Sequence, residues 1–249
     1  LEQRGNYETS RRVLQIISQV FRYAVITGRA KHNVAADLRG ALRPRKTVHR
    51  AAVLEPEKVG QLLRDIDAYE GYFPLVCALK LAPLVFTRPT ELRAAQWKEF
   101  DLEAGEWRIP AERMKMRRQH LVPLSRQAMF ILRELQKYSG EGKFLFPSIR
   151  TEVRPISDAT MLNALRRMGY QKHEMSVHGF RSIASTLLNE LGYNRDWIER
   201  QLAHGEQDEV RAAYNYAEYL PERRKMMQAW ADYLDGLRNT QQKRIREEA

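Results

Sequence analysis

Three short segments toward the C-terminal end of the sequence carry side chains suited to phosphate chemistry: His178-Gly179-Phe180-Arg181, Leu202-Ala203-His204-Gly205 and Arg211-Ala212-Ala213-Tyr214-Asn215. Two more stand upstream, Thr87-Arg88-Pro89-Thr90-Glu91-Leu92 and Met114-Lys115-Met116-Arg117-Arg118, the second running into Leu121-Val122-Pro123-Leu124. Breaking a phosphodiester by attack of a side-chain oxygen requires an activated nucleophile, a proton for the leaving 5′-oxygen, and donors to the non-bridging oxygens as charge builds. Each requirement has a candidate. Arginine keeps its charge near neutrality and offers a planar fork that matches phosphate oxygens, which suits Arg88 and Arg181. His204 can add a third hydrogen bond to the same phosphate, and Lys115 is the natural proton donor to the 5′-oxygen. A tyrosine, with a reference pKa of about 10, needs help losing its proton. Tyr214 is such a phenol, with Tyr216 and Tyr219 close by, and His178, three residues before Arg181, can reach it or hold the phosphate.

Singly, each residue has a plainer interpretation. Arg88 beside Glu91 would be a helix-terminal ion pair, His178 a packing or capping histidine, and Tyr214 half-buried core. Their joint occurrence favours the chemical interpretation. For Arg93, Arg113, Arg117, Arg118 and Arg126, phosphate contact and simple solvation of a face stand level. There is no Gly-rich phosphate loop, His-Glu-x-x-His or Gly-x-Ser-x-Gly.

Side chains so far apart in sequence need a folded frame, and 249 residues with 43% hydrophobic and 29% charged residues can build one. The single Cys77 excludes a disulfide framework and multi-cysteine zinc motifs. No apolar stretch approaches the roughly 20 residues of a membrane span; Pro74 to Phe86 is interrupted by Lys80 and Pro83. A soluble, cytosolic chain is expected. Leu1 is not an initiator Met and begins no signal-peptide pattern, so a fragment lacking its upstream part is expected as well.

The net charge is +11, of which +8 lies in residues 1–50, where eleven basic side chains face three acidic ones. Such asymmetry points to a polyanion, most simply nucleic acid, the alternative being a well-solvated helix surface. Apolar residues at three- and four-residue steps predict a helix from Tyr7 to Thr27, ended by Gly28, and a short helix from Val34 to Arg39, ended by Gly40. A basic linker follows from Leu42 to Arg50. Beyond it the pattern predicts helices at Pro56–Tyr69, Pro74–Phe86, Pro89–Trp97, Ser125–Tyr138, Ser157–Met168, Gly179–Leu191, Arg195–Ala203, Gln207–Tyr214 and Pro221–Arg238. Short runs at Trp107–Ile109 and His120–Val122 predict a small antiparallel sheet. Met226, Met227, Trp230 and Tyr233 form a packing stripe, in cis or against a neighbouring subunit.

The five motifs, in this order, resemble the tyrosine recombinases, and within them the integrases of temperate and satellite phages and genomic islands; the likeness covers about the whole chain. Two departures are small: Thr90 stands where many relatives have Gly, and Tyr214 follows His204 by ten positions rather than nine. The resemblance implies a mainly α fold: a helical core-binding segment over 1–41, the C-terminal part of a truncated domain; a basic linker over 42–52; and a mostly helical catalytic domain with a small antiparallel β-sheet over 53–249. It implies a site-specific recombinase that integrates or excises a mobile element through a 3′-phosphotyrosyl intermediate, with no ATP, metal or other cofactor. Catalysis would then fall to Arg88, Lys115, His178, Arg181 and His204, with Tyr214 as nucleophile because its spacing, Ala212-Ala213 and Asn215 fit the family pattern. Glu91 would orient the phosphate-binding groups.

The implied partners are double-stranded DNA attachment sites, bound by Arg11, Arg12, Arg22, Arg43, Arg45, Lys46, Arg50, Arg117 and Arg118, and three further copies in a tetramer on synapsed DNA. DNA-bending and excisionase proteins are candidate accessory factors, no membrane is involved, and the implied location is the nucleoid in a bacterial cytoplasm. Two rivals remain at this point: a catalytically idle DNA-binding regulator, and a topoisomerase with a tyrosine nucleophile.

Overall fold

A computed structural model describes residues 1–38, 40–42, 51–204 and 219–247. The chain divides into two compact units, Leu1–His49 and Arg50–Ala249.

The first unit is built on α1 (Tyr7–Ile26), whose end is marked by Thr27 and by Gly28 at φ 69°. Left-handed backbone at that point favours glycine, which lacks the Cβ that would clash. Among the described residues of this unit only Ser10 and Ala35 are buried, and Ile16, Val20, Tyr23 and Ile26 stand exposed along α1. Arg12 and Arg22 are exposed and Arg11 is half-buried. The short helix expected from Val34 does not form; residues 34–38 are turns. Asn33 explains the difference. Its side-chain oxygen accepts the Ala35 N–H (3.1 Å) and its amide donates to Ser18 Oγ (2.9 Å), so the side chain competes with helical backbone bonding. Arg39, Arg43, Arg45, Lys46 and Arg50 lie outside the described residues, as does most of the expected linker.

In the second unit α3 (Phe73–Val85) is the central element. Leu75, Cys77, Ala78, Leu79, Leu81, Ala82, Leu84 and Val85 are all buried, so this helix is apolar on every side and must be surrounded. It is packed by α2 (Pro56–Ala68), α4 (Pro89–Arg93), α5 (Arg126–Ser139), α6 (Asp158–Arg167), α7 (Gly179–Glu190) and the C-terminal helix α9 (Leu220–Glu247), with α8 (Arg195–Gln201) between α7 and α9. The antiparallel sheet has three strands in the order β1 (Phe100–Asp101), β2 (Glu106–Ile109), β3 (His120–Pro123), with Trp107 opposite Val122 and Ile109 opposite His120. A second hairpin, β4 (Pro147–Ser148) with β5 (Thr151–Pro155), was not expected from the sequence.

Further expectations change or are resolved. The helix opened by Pro89 ends at Arg93 instead of Trp97, because the chain there is held extended against residues 143–145: Leu145 N–H donates to Ala95 O (3.0 Å) and Trp97 N–H to Lys143 O (3.2 Å). The last helix runs to Glu247, beyond Arg238. The packing stripe is internal, with Met226, Met227 and Trp230 buried against the same unit and Trp230 Nε1 donating to Pro83 O (2.9 Å). Ser125 caps α5 as expected, accepting the Ala128 N–H, whereas the Ser157 hydroxyl makes no cap bond to α6 and pairs with Thr160 Oγ1.

Gly179 shows how packing selects one residue of the His178–Arg181 motif. A Cβ at Gly179 would lie 2.7 Å from Ala51 O and 2.8 Å from Met175 Sδ, while Ser176 Oγ donates to that same carbonyl (3.1 Å). Glycine lets residues 51–52 cross directly over the start of α7. Gly179→Ala is expected to destabilise the fold by roughly 1–3 kcal/mol through overpacking against backbone that cannot yield, exceeding the gain of about 1 kcal/mol that alanine brings to a helix. Urea unfolding at equilibrium measures it.

Candidate active site

The site is assembled at the C-terminal end of α8. A helix of this kind leaves its last carbonyls without partners, and here two arginines from distant segments supply them. Arg181, on the first turn of α7 and almost fully buried, donates through Nη2 to Leu202 O (2.7 Å) and through Nη1 to Phe86 O (2.8 Å). Arg88, at the N-cap of α4, donates through Nη2 to Ala203 O (2.9 Å). Two of these acceptors, Phe86 at φ 36° and Ala203 at φ 49°, are left-handed non-glycine residues that end α3 and α8. The unusual backbone at both helix ends turns a carbonyl toward a guanidinium.

Glu91 holds Arg88 from the other side. Its buried carboxylate accepts Arg88 Nη1 (2.8 Å) on one oxygen and the Arg88 backbone N–H (2.9 Å) on the other, closing the N-terminus of α4. His204 joins the cluster through Nε2, 3.1 Å from Arg181 Nη2, and through Nδ1, 2.7 Å from a Glu199 carboxylate oxygen. Burial first, and the charge of Arg88 second, push the Arg181 guanidinium down to about 10, so it remains charged at neutral pH. Arginine tolerates this depression because it starts so high; a lysine would have far less room.

Of the residues singled out in the sequence, Arg88, Glu91, Arg181 and His204 are therefore joined by direct contacts. His178 is half-buried at the N-cap of α7, one turn from Arg181. Lys115 is exposed on the β2–β3 connection, one residue beyond buried Met114 and two beyond Arg113. Arg113 anchors that connection by donating to Glu91 O and to Glu99, so the segment carrying Lys115 is tied to the backbone of the residue that holds Arg88. Arg117, at φ 50°, and Arg118 are exposed just beyond Lys115. Arg93 pairs with Asp158 and donates to Ile156 O, and exposed Arg126 lies 3.5 Å from Asp232. Tyr214, Tyr216 and the expected helix Gln207–Tyr214 lie outside the described residues. Tyr219, at φ 46°, precedes α9, and its carbonyl accepts the Arg223 N–H (2.8 Å).

Glu199 and Arg223 lie outside the sequence motifs. Arg223 on α9 is fully buried and donates to Gln201 Oε1 and Leu121 O, joining α9, α8 and β3. Buried His120 donates through Nε2 to Gln201 O (3.1 Å); burial, then the charges of Arg223 and Arg200, push it down to about 3, so it is neutral there. The register of Arg223 on an otherwise apolar face of α9 was a legible signal only in retrospect.

A mainly helical unit with a three-stranded antiparallel sheet, gathering two arginines and a histidine at one helix end, has the architecture of the tyrosine recombinase catalytic domain. It aligns with a lambda integrase tetramer bound to a Holliday junction at TM-score 0.63 and 20% identity, over 83% of this chain and 61% of that one. A lambda integrase dimer bound to a COC′ core site aligns at TM-score 0.62 and 19% identity, over 89% and 60%. The chain belongs to the phage integrase family: the family model matches residues 52–220, and the model of the phage integrase central domain matches residues 1–41. The integrase of Enterobacteria phage P4 is 43% identical over 250 residues, covering 94% of this chain and 57% of that protein, so the chain spans little more than half the length of this relative.

Proposed function

We propose that the chain is the core-binding and catalytic part of a site-specific integrase that cleaves and rejoins DNA through a 3′-phosphotyrosyl intermediate. The observation that carries this is the junction of Arg88, Arg181 and His204 on the carbonyl end of α8, where three hydrogen-bonding side chains from three segments converge. Arg88 and Arg181 would bind the non-bridging oxygens, His204 would add a further bond, and Lys115 would protonate the 5′-oxygen. Tyr214 would attack the phosphorus, and His178 would accept its proton or hold the phosphate. The energy of the broken bond is kept in the tyrosyl ester, so a 5′-hydroxyl from another strand can reverse the step without ATP.

The substrates are DNA attachment sites, gripped also by the basic residues of 1–50, Arg117 and Arg118, and the working assembly is a tetramer on two duplexes. The lambda integrase tetramer on a Holliday junction supports that assembly. Among the described residues no helix is long and apolar enough to cross a membrane. The test is a nicked suicide duplex carrying the attachment site, incubated with the protein and digested to map the DNA-linked peptide. A peptide bearing Tyr214 is the expected product. Binding without a covalent product would make the chain a regulator, and relaxation of plasmid lacking any attachment site would make it a topoisomerase.

A further inference from the structure

We propose that Glu199 is a positioning residue for this chemistry: it fixes His204 through Nδ1 and so presents Nε2 to the phosphate as a hydrogen-bond donor. The inference rests on the function proposed above and extends it to a residue outside the motifs.

The pairing is built into the way α8 ends. His204 N–H donates to Glu199 O (3.1 Å) and Ala203 N–H to Arg200 O (3.1 Å), with Ala203 left-handed between them. This is the paired-bond helix stop in which the second residue past the end folds back over the last turn. Residues 199 and 204 are thereby joined twice, once by backbone and once by the 2.7 Å contact of carboxylate and Nδ1.

A carboxylate only accepts hydrogen bonds, so His204 Nδ1 carries a proton. In a neutral ring Nε2 is then a lone pair, which matches its position 3.1 Å from an Arg181 donor. The chain of bonds runs from Arg181 to His204 to Glu199. A phosphate oxygen also only accepts. Once it takes the Arg181 N–H, Nε2 can bond the phosphate only by carrying a proton itself. That proton places a positive charge beside Arg88 and Arg181, and Glu91 is already committed to Arg88. The Glu199 carboxylate, in contact with the other ring nitrogen, is the group placed to offset it. A partner of this kind also holds the ring against rotation.

The experiment uses the full chain and the nicked suicide duplex, following covalent-complex formation in a single turnover, once the wild-type protein has been shown to form the complex. Loss of the carboxylate that orients a metal-bound histidine costs about 10- to 100-fold, and a slowing of that order is expected here. Glu199→Ala should show that loss, with DNA affinity and melting temperature unchanged. Glu199→Gln, which keeps the shape and an acceptor but not the charge, should also be slow, and Glu199→Asp should recover part of the rate. In a His204→Ala background, Glu199→Ala should have no added effect. A wild-type rate in Glu199→Gln, or the same loss in the His204→Ala background as in the parent, overturns the proposal. Absence of any covalent complex with the wild-type protein would instead overturn the function on which it rests.

Discussion

Tyr214→Phe is expected to abolish the covalent DNA complex while folding and DNA binding survive. The substitution removes one oxygen atom, and with it the only group on that side chain able to form a phosphoester. Removal of a covalent nucleophile costs on the order of 10⁴-fold or more in rate, so no adduct should be visible on a suicide duplex after overnight incubation. The competing phenols can be separated by the same assay. Tyr219 forms the left-handed turn into α9 and gives its carbonyl to Arg223, a structural task that suits it poorly to delivery toward a phosphate. Tyr216 is two residues from Tyr214, a spacing that points the two in different directions on a helix. An adduct that persists in Tyr214→Phe and disappears in Tyr216→Phe would move the assignment.

The second large effect concerns the two guanidiniums, which should respond differently to lysine. Arg181→Lys loses at least one of the bonds to Phe86 O and Leu202 O and places an ammonium where burial already depresses a guanidinium. A buried carbonyl left without its donor costs about 1–3 kcal/mol. Cleavage should fall at least ~100-fold, together with the midpoint of denaturant unfolding. Arg88 is partly exposed, at 18%, and its fork spans Glu91 and Ala203 O. Arg88→Lys should therefore lose cleavage to a similar degree with a smaller loss of stability. Full activity in either variant would show that the planar fork is dispensable.

Much of this was legible in the sequence because the relevant signals are local. Gly28, Pro56, Pro89 and Ser125 mark helix ends through their own backbone or side-chain chemistry, and the run from Pro74 to Phe86 announces a buried helix by composition alone. The motifs contain Arg88, Glu91, Arg181 and His204, which the fold brings into contact. What escaped depends on partners far away in the chain. Asn33 unmakes the helix after Val34 by reaching Ser18, and the strand-like stretch after Arg93 exists only because residues 143–145 lie beside it. Glu199 escaped for a related reason: a glutamate near the end of a surface helix is unremarkable until a left-handed alanine folds His204 back upon it.

The bonds from Arg88 and Arg181 to the end of α8 also have an entropic side. A free arginine side chain carries roughly 2 kcal/mol of rotamer freedom. In this chain that freedom is surrendered during folding, through contacts that span 115 residues for Arg88 and 95 for Arg181. Under the function proposed above, a phosphate would meet donors that are already immobile, and its binding would not have to order them. Because Leu202, Ala203 and His204 are consecutive, both guanidiniums and the imidazole share one anchor. Any displacement of that short turn moves all three at once, and the site is present or absent as a unit.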